Sequence, residues 1–166
     1  SWAWGYNFSG QLGDGTTINR TTPEFFNNSS LLEVSAGLSH SLGLNSDGTL
    51  WSWGRNGTGQ LGIGTDIDNH FVTQVGSGSN WMGIAAGANH SVALKDDGTL
   101  WAWGSDEYGQ LGDGGTNMAM VSPTQVGSET TWKNVYASEY NTYAIKQDGT
   151  LWGCGRNNVG QVGDGT

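Results

Sequence analysis

Three histidines, one cysteine and 15 carboxylates are the side chains of this 166-residue chain best suited to hold a metal or turn over a substrate. His40 and His90 could supply neutral imidazole, a frequent transition-metal ligand. They stand at one recurring position, in Ser39-His40-Ser41 and Asn89-His90-Ser91, and the third occurrence has Asn141. Asparagine can replace a hydrogen-bonding imidazole but is a poor transition-metal ligand, so a structural role in each repeat is expected. His70 ends Asp66-Ile67-Asp68-Asn69-His70, where two carboxylates could hold a hard cation; a solvated turn is the simpler reading. The aspartates of the Asp-Gly and Gly-Asp-Gly segments recur from unit to unit and read as turn formers. Gly10-x-x-Gly13-x-Gly15 has the wrong order for a dinucleotide fingerprint and no helix pattern follows it. Cys154 reads as a small packed hydrophobe. No nucleophile, base and orienting partner can be nominated, and the expectation is a chain without catalytic residues, metal or cofactor.

The elements that position these residues come from a repeat. Trp-Ala-Trp-Gly at Trp2 opens a block ending Gly-Gln-Leu-Gly-Asp-Gly-Thr, and the block returns from Trp51, Trp101 and Trp152, at spacings of 49, 50 and 51 residues. A second block precedes the last three copies: VSAGLSHSLGLNSDGTL from Val34, IAAGANHSVALKDDGTL from Ile84 and VYASEYNTYAIKQDGTL from Val135. Periods of this length imply stacked supersecondary units. Residues 1–166 are therefore expected to form one repeat array, part of a longer or two-chain assembly.

Each unit reads as β-structure. Ser91–Leu94 and Thr99–Trp103 are short apolar or aromatic runs flanking Asp97-Gly98, and the same hairpin signal recurs at Asp47-Gly48 and Asp148-Gly149. Ile84–Gly87 is a further strand, and Pro123–Val126, matched by Val72–Val75, a fourth. Four short antiparallel strands per unit of about 50 residues describe a propeller blade. Trp51 and Trp53, like Trp101 and Trp103, fall on one face of their strand, with Ser52 or Ala102 on the other. Such faces suit blades stacked so that a tryptophan fills the space over Ser52, Ala102 or Gly153 of its neighbour. Burying one removes about 150–250 Å² from water, roughly 4–6 kcal/mol before entropy is subtracted.

Composition narrows the function classes. With 29 glycines lacking a three-residue period and 11% aromatic residues, the chain is neither collagenous nor disordered. No run approaches the ~18 apolar residues of a membrane helix. A formal charge of -9, with six scattered cations, opposes direct nucleic-acid binding.

The string AAGANHSVALKDDGTLWAWG, followed by GQLGDG, closely resembles the repeat of the regulator of chromosome condensation family. That resemblance implies a seven-bladed β-propeller and spans about three and a third repeats. Three positions depart from it: Ser138 where Gly37 and Gly87 stand, Asn141 for His40 and His90, and Cys154 for the second tryptophan. The family includes an exchange factor for a small GTPase that docks on chromatin, so nucleotide exchange is one implied activity. Function follows from the site rather than the fold.

Variation between repeats points to a binding surface. Residues 17–32, 66–82 and 117–134 share little beyond the fourth strand and carry Phe25, Phe26, Phe71, Met118 and Met120 beside Asp66, Asp68 and Glu129, with Glu107 in the block from Trp101. That mixture suits a protein partner with basic features, although some of these apolar groups could instead form the outer strand of each blade. A sugar-binding propeller is the rival, but it would want like loops. Three and a third repeats do not close a ring, so self-association of two chains is expected if this chain is natively complete. The absence of disulfides and the Asn-, Ser- and Gly-rich composition fit a bacterial protein, cytoplasmic or exported.

Overall fold

The computed structural model describes residues 1–26, 31–115 and 118–166. Among them lie thirteen strands and no helix: β1 (Trp2–Gly5), β2 (Arg20–Phe25), β3 (Leu31–Ala36), β4 (His40–Asn45), β5 (Leu50–Gly54), β6 (Asn69–Gln74), β7 (Trp81–Ala86), β8 (His90–Lys95), β9 (Leu100–Gly104), β10 (Met120–Gln125), β11 (Trp132–Ala137), β12 (Asn141–Lys146) and β13 (Leu151–Gly155). Two four-stranded antiparallel sheets, β3-β4-β5-β6 and β7-β8-β9-β10, are flanked by β1-β2 and β11-β12-β13. No helix of the described residues is long and apolar enough to cross a membrane.

The hairpins form where the Asp-Gly-Thr turns lie, and each turn also fixes a tryptophan. Gly48 takes φ 78°, a left-handed value that favours glycine. Asp47 Oδ1 accepts the Thr49 amide at 3.0 Å and its hydroxyl at 2.6 Å, while Thr49 Oγ1 accepts the Trp51 Nε1–H at 2.9 Å. The same relay runs through Asp97, Thr99 and Trp101, and through Asp148, Thr150 and Trp152. These bonds hold all three exposed aspartates below the usual carboxylate range, the Thr hydroxyl being the largest cause.

The fourth strand belongs to the preceding tryptophan strand. β6 pairs with β5, through Trp51↔Gln74 and Ser52↔Thr73, and β10 pairs with β9. A blade therefore runs from its inner strand to the outer one in chain order, and the Gly-Gln-Leu-Gly loop lies between its last two strands.

Blades meet through their faces. Leu42, Leu44, Leu50 and Val75 cluster with Trp81, Ile84, Ala93 and Trp103 of the next sheet. At the following seam Val92, Leu94, Leu100 and Leu111 meet Trp132, Val135 and Ala144. Backbone bonds stitch the same seams: the Ala88 N–H donates to the Glu139 carbonyl (3.0 Å), and the Trp81 N–H to that of Gly48 (3.1 Å).

The two tryptophans of each strand do different work. Trp103 crosses the seam onto the Gly-Gln-Leu-Gly loop, donating Nε1–H to the Gln60 carbonyl at 2.9 Å and lying against Gly62. The Ser52 hydroxyl is taken by the Leu61 carbonyl of its own blade (2.7 Å). Trp101 stays home, edge-on to Trp81 at 5.9 Å, with the Lys95 ammonium 4.0 Å from its ring. Trp132, Trp152 and Lys146 repeat this arrangement.

Candidate protein-interaction surface

The histidines tie one blade to the next. His40 Nε2 lies 3.0 Å from Ser91 Oγ, and that hydroxyl donates to the Gln60 carbonyl at 2.7 Å. Because the serine proton is already directed at a carbonyl, the imidazole must donate through Nε2–H. His90 does the same with Thr142, which donates to the Gln110 carbonyl. Burial pulls the His40 imidazole down to about 3, helped by the neighbouring His90, and that of His90 down to about 4. Both are neutral at physiological pH and are structural groups. Two sequence departures are coupled here. A Cβ at Gly87 would strike the His90 ring, whereas Ser138 stands in the blade whose counterpart is the smaller Asn141. Asn141 turns inward on its own sheet, donating to the Arg156 carbonyl at 2.7 Å.

A second recurring polar position escaped the sequence reading. Asn7 and Asn56 are buried; each Oδ1 accepts a loop amide, Leu12 (2.9 Å) or Leu61 (2.8 Å). Each Nδ2 donates to two carbonyls of the next loop, those of Thr16 and Ile18 or of Thr65 and Ile67. The signal was available: within the dissimilar tetrapeptides YNFS, RNGT, SDEY and RNNV the second residue is Asn or Asp throughout. In the third block it is Asp106, 2% exposed, which accepts the Leu111 amide at 2.9 Å but has no N–H to give. Burial raises its carboxyl above 3.8, and Asp113 adds to the rise. An acid raised in the fold is penalised for ionising, fully above its folded pKa and not at all below the unfolded one. Asp106→Asn is therefore expected to stabilise the chain by about 1 kcal/mol at pH 7, with a smaller gain at pH 3, as read by urea unfolding at both.

The residues expected to form a binding surface divide. Phe25, at the end of β2, is 60% exposed, but Phe26 is 7% exposed, its ring 6.0 Å from Trp53. Phe26 is thus a core residue, which corrects its assignment to the surface. Met120 starts β10, is half-buried and packs against both core clusters, so it too leaves the surface set. Asp68 caps the Asn56 amide at 2.7 Å, and Glu129 pairs with Lys146 at 2.8 Å. His70 lies on β6, half-buried, and its carbonyl accepts the Gly15 amide. Among the described residues no group of three or more His, Cys, Asp or Glu could hold one metal ion, so Asp66, Asp68 and His70 do not converge. Exposed are Phe25, Phe71 and Met118 on outer strands or the loop entering one, together with Asp66, Asp68, Glu107 and Glu129. Trp51, Trp53, Trp101, Trp103, Gly48 and Gly98 all serve the blade framework described above.

Several of the six cations have aromatic or carboxylate partners within their own blade. Arg20 is paired with Asp14 at 2.7 Å, and Lys95 and Lys146 sit over tryptophan rings. Burial alone would raise the Asp14 carboxyl, but hydrogen bonds from Thr16 and Arg20 outweigh it and hold the group down to about 2.

This geometry has known relatives. Human WBSCR16 superposes with TM-score 0.83 at 20% identity, over 94% of this chain and 42% of that one. Prp20p from Saccharomyces cerevisiae, described with binding properties to Gsp1p and histones, gives 0.76 at 25% identity over 89% of this chain and 36% of its own. The receptor kinase CR4 ectodomain from Physcomitrella patens gives 0.53 at 19% identity, covering 88% and 36%. The chain spans roughly two fifths of the length of these structures. A search of curated proteins gave no match. Two models of the regulator of chromosome condensation (RCC1) repeat match, one over residues 2–44, 47–94 and 97–145 and the other over 32–60, 83–110 and 132–161. Because these matches together cover most of the chain, it belongs to the RCC1 repeat family.

Proposed function

We propose that the chain is a non-enzymatic protein-interaction module, with the outer strands and their entering loops as the binding surface and a partner that presents basic features. The observation that carries this reading is the exposure of Phe25, Phe71 and Met118 on segments that differ from blade to blade, on a chain of net charge -9. Large apolar side chains beside carboxylates are the makings of an interface core with an acidic rim. Binding of Gsp1p and histones by the similar Prp20p lends support by analogy.

The test is affinity capture from the native host with the full chain and with a Phe25→Ser, Phe71→Ser, Met118→Ser variant. Partners held by the parent should be lost by the variant, which should still unfold cooperatively because all three side chains are largely exposed, Phe25 lying edge-on to Trp2 and Phe71 over Gly15. Equal capture by both would remove this surface from consideration. A glycan array that lights up one sugar class would favour the lectin reading, and accelerated nucleotide release from a small GTPase would favour exchange activity.

The end blades also bear on assembly. Val34 and Leu151 are exposed, while their counterparts in inner blades, Ile84 and Leu100, are buried. We propose that two copies associate through such faces when the chain acts alone. Native mass spectrometry should then find a dimer, and a stable lone monomer would rule it out.

A further inference from the structure

We propose that the seam between sheets β7–β10 and β11–β13 is a binding site for a small flat aromatic N–H heterocycle of the indole class. A cavity of about 140 Å³ lies there, lined among others by Leu100, Val126, Trp132, Ala144, Trp152 and Cys154. One seam earlier, the equivalent positions Leu50, Val75, Trp81 and Ala93 cluster with Trp103, the Trp81 ring 6.3 Å from it, and Trp101 packs against that cluster. The repeat therefore supplies its own template: the third seam has the walls of a tryptophan slot, with Cys154 in place of the ring.

The polar end of the slot is in place as well. Trp53 Nε1–H donates to the Gln11 carbonyl at 2.8 Å and Trp103 Nε1–H to that of Gln60 at 2.9 Å. The third carbonyl, of Gln110, accepts the Thr142 hydroxyl at 2.7 Å and the thiol of Cys154 at 3.5 Å, a weak donor at long range. An indole N–H would restore the short bond. Gly112 keeps the approach open as Gly62 does beside Trp103. Burial pushes the Cys154 thiol up to about 11, so the slot carries no thiolate at neutral pH and suits a neutral ring. The pocket is partly open to solvent, and its volume is close to that of enclosed apolar cavities that accept benzene-sized guests.

Indole itself is the probe, titrated into the full chain by calorimetry and by two-dimensional NMR. Saturable one-to-one binding is expected, with a dissociation constant on the order of 1 mM or tighter for so small a ligand. Cys154→Trp fills the slot covalently and should weaken binding by about tenfold or more. Ala144→Leu, which narrows the same cavity from the neighbouring strand β12, should do likewise and decides the matter if Cys154→Trp does not fold. Indene, which lacks the N–H, should bind less tightly than indole. Absence of binding to the parent chain, or affinity unchanged in the folded variants, overturns the site. Equal affinity for indole and indene overturns the N–H assignment and with it the ligand class.

Discussion

Trp103→Ala is expected to lower the stability of the chain by about 3–5 kcal/mol, the range for deleting a large aromatic from a packed interior. The ring is 0% exposed, and the side chain joins two blades through apolar contact and one hydrogen bond. Its removal loses both at once and leaves a cavity that cannot collapse without moving whole sheets. The Gln60 carbonyl keeps the Ser91 hydroxyl, so the loss is chiefly one of packing. Cys154→Ala is the matched control, because it occupies the equivalent position but already borders a cavity. It should cost about 1 kcal/mol, in keeping with the removal of one small group. Urea unfolding of the three proteins measures the difference. Domain stabilities of about 5–15 kcal/mol leave room for the first variant to be folded but fragile. Equal losses in the two variants would show that the seam tryptophan does not hold the blades together.

What the sequence made legible was local. The repeat period, the four strands per unit and the Asp-Gly turns depend on residues within a few positions of one another, and the structure carries all of them. Faces that depend on another sheet were harder to read. Phe25 and Phe26 are adjacent and alike, and only the position of Trp53 decides that the second is core. The choice between Trp101 and Trp103 as the seam residue likewise depends on where the neighbouring loop places its Gln60 carbonyl. β6 was legible as a strand, but its partner was not, since pairing to β5 rather than β7 is a matter of chain path. The Asn7, Asn56 and Asp106 position was hidden for another reason: its neighbours vary so much that the one constant polar residue looks like loop composition.

The same contrast bears on function. Bonds that recur between blades, the Asp-Gly-Thr relay at three turns and the seam histidine at two seams, commit these polar side chains to structural partners. A buried group committed to two structural partners is not available as an acid, base or ligand. What remains free to differ, without cost to the framework, is the exposed set on the outer strands and the seam where Cys154 replaces a ring. Function in this chain is accordingly expected where the repeat is broken.

Lowering the pH from 6.5 towards 4 is expected to unfold the chain, and the seam histidines are the cause. Both pKa values are depressed in the fold, to about 3 for His40 and about 4 for His90, while the unfolded chain titrates near 6.5. For a base depressed in this way, the native state stays neutral while the unfolded state takes up protons. The stabilisation is full above the unfolded value and is lost as the pH falls through the window down to the folded value. With two such groups the slope approaches about 2.7 kcal/mol per pH unit between roughly pH 5.5 and 4.5. His40 Nδ1 has no hydrogen-bond partner, so a second proton there would be buried without an acceptor. Asp14, held down to about 2, acts at lower pH, losing its contribution as the pH falls below 3.8. The two effects are therefore separable. A His40→Asn, His90→Asn variant, which copies the residue type found at Asn141, should start less stable at pH 7 by about 1–3 kcal/mol, since each seam loses a hydrogen bond. Its unfolding free energy should nevertheless fall less steeply on acidification, so that the two curves converge or cross near pH 5. Denaturant unfolding in half-unit steps from pH 7.5 to 4.5 gives both curves, and parallel acid limbs would show that the imidazoles do not set the response.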